Sequence, residues 1–76
     1  MHYERLKKLL AEWDLYSSKE AQTPSRIMNL EKWSIARSVE ITIDDMRKNG
    51  ELNKISEKEK EKIDIIFNYI KIIKRL

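Results

Sequence analysis

The chain has 76 residues, with 16 Lys and Arg against 13 Asp and Glu (net charge +3), one Gly, one Pro, one His and no Cys. That length holds one small domain, residues 1–76. Without Cys there is no disulfide, thiol nucleophile or zinc finger; one His gives no His-rich metal site or triad; one Gly builds no phosphate-cradling loop, so catalysis, a metal and a cofactor are not expected.

The first predicted helix covers residues 2–20, within a segment (2–22) of uniform periodicity. Tyr3, Leu6, Leu9, Leu10, Trp13 and Tyr16 recur at spacings of three and four. At 100° per residue they occupy an arc of about 140°, the width of an ordinary core-facing stripe. Leu15 is the apolar exception on the other side. Thr23-Pro24 ends this helix and starts the next, because proline turns its predecessor away from helix while tolerating the first helical position itself.

The second predicted helix covers residues 25–49. Asn49-Gly50 is its stop signal, with Arg47 and Lys48 in the last turn. Met28, Ile35, Ala36, Val39, Ile43 and Met46 share one side, whereas Ile27, Leu30, Trp33 and Ile41 do not. This helix is either apolar on two faces or broken near residues 39–41. Residues 50–55 form a connector that Leu52 and Ile55 pin to the core.

Ser56 followed by Glu59 is a capping box that opens the third predicted helix, 57–75. Glu57, Glu59 and Glu61 suit its positive end; Lys71, Lys74 and Arg75 suit its negative end. Ile63, Ile66, Phe67, Ile70 and Ile73 make one face; Ile65, Tyr69, Ile72 and Leu76 make a second. Together the apolar positions span about 220°, twice what a surface helix needs. Either this is a central helix packed by both others, or the Ile65, Tyr69, Ile72 and Leu76 face docks on another protein, with Trp33 and Ile41 extending the patch.

The expected fold is all-α: a small antiparallel bundle of three helices, or four if the middle one breaks. Core candidates are Leu6, Leu9, Leu10, Trp13, Ile35, Val39, Ile43, Met46, Ile63, Ile66, Phe67 and Ile70. Apolar residues make up 41% of the chain, enough for a thin core that a partner would help to stabilise. The longest apolar run of the C-terminal segment, Ile65-Ile66-Phe67, is far short of a membrane span. The N-terminus has no secretory pattern, so the expected location is cytoplasmic. High charge of both signs with few Gly and Gln fits a thermophile protein or a Lys- and Ile-rich genome equally well.

Two functions fit this pattern. The leading one is a small non-catalytic interaction or accessory subunit. It would bind a larger protein or a second copy of itself through Trp33, Ile65, Tyr69, Ile72 and Leu76. Its basic balance suggests an assembly that acts on nucleic acid, such as a DNA polymerase or replication complex. No small-molecule substrate is expected. The alternative is a DNA-binding module. Residues 35–47 (Ile35-Ala36-Arg37, then Ile41-Thr42 and Met46) resemble the middle of a helix-turn-helix. Read that way, Thr42 caps a recognition helix reaching Asn49, and Arg37, Arg47 and Lys48 meet the DNA. Glu40 stands where the turn usually holds Gly, and Asp44 and Asp45 carry carboxylates to the end that should meet phosphates. Basic residues at Arg5, Lys7 and Lys8 and at Lys71, Lys74 and Arg75 would merge into one weak nucleic-acid patch if the two ends of the fold lie together.

Overall fold

The structure, a computed structural model, describes residues 2–22 and 26–75, with the side chains of 2–18 and 30–75. The start signal at Thr23-Pro24, the placement of Ile27 and Met28, and the candidate interface residue Leu76 lie outside that range. Three α-helices lie among the described residues: α1 (His2–Gln22), α2 (Arg26–Lys48) and α3 (Glu57–Arg75), with a single 3-10 turn at Leu52–Lys54 between the last two. No strand occurs among them, and the fold is an all-α three-helix bundle.

Of the two alternatives for the middle helix, the break near residues 39–41 does not occur: α2 runs without interruption from Arg26 to Lys48. Thr42 does not cap a new helix there. Its hydroxyl donates to the Ser38 carbonyl one turn back (2.7 Å), and its side chain is buried at 1% exposure. A Thr hydroxyl satisfied inside its own helix has no reason to end it. Ile35, Ala36, Val39, Ile43 and Met46 are all buried on one side of this segment. A break near residues 39–41 would turn half of that stripe away from the core.

The end of α2 follows from Gly50. Its φ is +70°, the left-handed conformation that Gly adopts without a Cβ penalty. Glu51 N–H then donates to the Met46 carbonyl (2.8 Å) and Gly50 N–H to the Arg47 carbonyl (3.3 Å), which completes a Schellman motif. Ile55 is buried and Leu52 packs against the core, so the connector is held down by both residues expected to hold it. α3 opens on the capping box. Glu59 N–H donates to Ser56 Oγ (3.2 Å), and Ser56 N–H donates to Glu59 Oε1 (2.8 Å).

Tyr3 meets Glu59 and Trp13 meets Tyr69. Both pairs are 56 residues apart in sequence, so α1 and α3 run in the same sense. α2 returns between them and packs on both, while α1 and α3 approach each other only sparsely. The central helix is therefore α2, not α3. This leaves the excess apolar surface of α3 without the two-sided cover that a central position would give.

The core is Leu6, Leu10 and Trp13 from α1, Ile35, Ala36, Val39, Ile43 and Met46 from α2, Ile55, and Ile63, Ile66 and Ile70 from α3. Leu9 and Phe67 are half-buried at its edge. Ile73, on the expected core face, is instead exposed near the end of α3.

Candidate protein-docking face

α3 turns its buried row of Ile63, Ile66 and Ile70 toward α2. At 100° per residue, Ile65 and Ile72 project about 130–150° away from the middle of that row. They are 59% and 60% exposed. A core helix does not need β-branched side chains there, and the two lie seven residues apart, on nearly the same line along the helix.

Tyr69 sits on the boundary. The structure draws it inward instead of leaving it on the outer face. Its ring meets Trp13 edge-on, with centroids 5.2 Å apart, and lies 6.3 Å from the ring of Trp33. Lys32 Nζ stands over Trp13 at 4.7 Å and over Tyr69 at 5.1 Å. A cation between two aromatic faces is attracted by both. Trp33 and Tyr69 thus help to join the three helices, and both are half-buried. Of the four candidate interface residues that are described, Ile65 and Ile72 are the exposed pair. The role of Lys32 was not legible in sequence, where it is one Lys among many.

The candidate nucleic-acid residues are not brought together. Arg37 pairs with Glu40 on its own helix. Asp44 forms ion pairs with both Arg47 (3.6 Å) and Lys48 (3.7 Å). Thr42 is buried, as above. Lys71, Lys74 and Arg75 are exposed at the end of α3, away from that group. Nor do the two basic clusters merge. Lys7 lies near Glu59, at the start of α3, where its charge helps to hold the Glu59 carboxyl below the usual range. At about 1.5 Å per residue, the end of α3 is some 20 Å further on.

Two clefts flank α2. One, of about 220 Å³, lies over Ile43, Leu52, Ile55 and Ile63, with Arg47, Lys60 and Asp64 at its sides. The other, of about 400 Å³, runs between α2 and α3 past Glu40, Ile41, Asp44, Arg47 and Phe67. Among the described residues, no group of three or more His, Asp and Glu side chains stands close enough to hold a metal ion. No helix is long and apolar enough to cross a membrane, again among the described residues.

No protein-family model, curated protein or solved structure matches this chain.

Proposed function

We propose that this chain is a small non-catalytic interaction subunit that docks on protein through the outer face of α3. The exposure of Ile65 and Ile72 on one line of that helix carries the reading; Leu15, Leu30 and Ile41 are also more than half exposed, but they are divided between α1 and α2. Exposed aliphatic side chains in register along a helix are what a helix-in-groove or helix-on-helix contact uses. The net charge of +3 makes assemblies that act on nucleic acid the first place to look for such a partner.

The test is capture with the wild-type chain beside Ile65→Glu and Ile72→Glu. Both substitutions fall at exposed positions, so helicity should be retained by circular dichroism. A protein held by the wild type and released by both variants supports the docking face. Equal recovery with all three chains assigns the interaction elsewhere and removes this reading.

A further inference from the structure

We propose that the outer face of α3 pairs with the same face of a second copy of this chain, antiparallel and about a two-fold axis. The proposal rests on the docking reading above and supplies the identity of what docks.

The observation behind it is the order of charge along one flank of the face. Glu57, Glu61 and Asp64 come first, Asn68 follows, and Lys71 and Arg75 come last. At 100° per residue, the five charged residues fall within an arc of about 80° beside Ile65 and Ile72. All five are exposed. Among the described residues, none of them makes an ion pair within its own chain. The flank is therefore acidic in its first half and basic in its second; that order suits the helix dipole, but it leaves all five charges without an ion-pair partner among the described residues.

Such a flank complements itself only when reversed. A two-fold axis uses the same patch on both copies. Antiparallel helices bring matching flanks together, whereas parallel helices bring opposite flanks together. With the axis between Asn68 and Tyr69, Ile65 lies opposite Ile72 of the second copy. Asp64 then falls within a residue or two of that copy's Lys71, and Glu61 within the same margin of its Arg75. Lysine and arginine stems span such an offset. The opposite flank could not serve a parallel pair. Lys62 there is engaged by Asp14 of α1, and Tyr69 is turned into the Trp13 and Lys32 cluster. Opposed helix dipoles favour the antiparallel arrangement further. A face of a few turns lies at or below the small end of specific interfaces, about 1,200 Å² in total, so the pairing is weak and depends on concentration.

Sedimentation equilibrium of the full chain tests this directly. The average mass should rise from 9.2 kDa toward about twice that value as concentration increases, and high salt should lower it. Ile72→Glu should stay monomeric. Two charge-reversed variants give the decisive reading. Glu61→Lys with Asp64→Lys makes the flank wholly basic, and Lys71→Glu with Arg75→Glu makes it wholly acidic. Each alone should associate at least tenfold more weakly than wild type, and a one-to-one mixture should recover association. If either double variant loses helicity, the single reversals Asp64→Lys and Lys71→Glu replace it. A mixture that stays monomeric while wild type dimerises overturns the antiparallel register. A wild type that is monomeric throughout but holds another protein in an Ile72-dependent manner overturns self-pairing and leaves the docking face standing. Association that survives Ile72→Glu overturns both.

Discussion

Ser56 and Glu59 exchange two hydrogen bonds at the start of α3, and Glu59 Oε1 also accepts from the Tyr3 hydroxyl at 2.9 Å. One carboxylate thus closes a helix end and ties α1 to it. Ser56→Ala removes the cap and should cost about 1 kcal/mol, read as a fall in melting temperature of roughly 4–8 °C for a domain of this size. The same contacts set the pH behaviour. The Ser56 backbone N–H, more than any other neighbour, holds the Glu59 carboxyl below the usual carboxylate range. A lowered folded pKa stabilises the fold above the ordinary Glu range, and this is lost as pH falls through the lowered value. The Tyr3 and Tyr16 hydroxyls shift upward, chiefly through hydrogen bonds to Glu59 and Glu31. Their contribution is complete below the ordinary Tyr pKa near 10 and is lost as pH rises through the raised values. Thermal melts across pH should therefore show a plateau with two falling limbs. Glu59→Gln should flatten the acid limb and Tyr3→Phe the alkaline one. Gly50→Ala belongs to the same scale. Nothing lies within 4 Å of an added Cβ, so only the left-handed backbone is penalised, by about 1 kcal/mol.

At the scale of the helix, Tyr69 and Ile72 separate structure from docking. Both belong to the apolar sector outside the Ile63, Ile66 and Ile70 row, and periodicity alone gives them one role. The structure splits them, because Trp13 and Lys32 draw Tyr69 inward and nothing comparable reaches Ile72. Tyr69→Ala should therefore lower stability by about 2–4 kcal/mol in chemical denaturation. Ile72→Glu should leave the denaturation midpoint of dilute protein nearly unchanged. Element types, the capping box, the Gly50 stop and most of the core were legible, because periodicity and caps are local signals and Val39, Ile63 and Ile66 obey them. The continuity of α2 was not. Thr42 is a good helix cap and an equally good partner for its own helix, and only the burial of residues 35–46 against α1 and α3 decides between them. The positions of Glu61 and Asp64 on one flank of α3 are fixed by periodicity, whereas the exposure of Ile65 and Ile72 beside them is set by how α3 packs on α2 and is not a local signal. Thr42→Val tests the α2 assignment. The Ser38 carbonyl keeps its place in the helix when the hydroxyl goes, so the change should cost no more than about 1 kcal/mol.

At the scale of the molecule, the bundle is elongated, 38 × 24 × 19 Å, and its radius of gyration is 12.6 Å, against roughly 11 Å for a compact chain of this length. An elongated small domain covers less of its apolar surface, and a chain of 76 residues has only about 4–11 kcal/mol of total stability to draw on. Ile66, fully buried where α3 meets the core, shows how thin that is: Ile66→Ala should cost about 2–5 kcal/mol and leave much of the protein unfolded near 37 °C. Self-pairing through α3 would add stability by mass action, because it binds the folded chain only. At a free concentration ten times the dissociation constant, the gain is about 1.4 kcal/mol, or roughly 5–10 °C in melting temperature at this size. The wild-type melting temperature should therefore climb with protein concentration, most steeply at low salt, where the acid–base flank is least screened. Ile72→Glu should melt at one temperature throughout, matching the dilute wild type. If both chains climb in parallel, the stabilising contact lies on another face, and the isoleucines of α3 have no part in it.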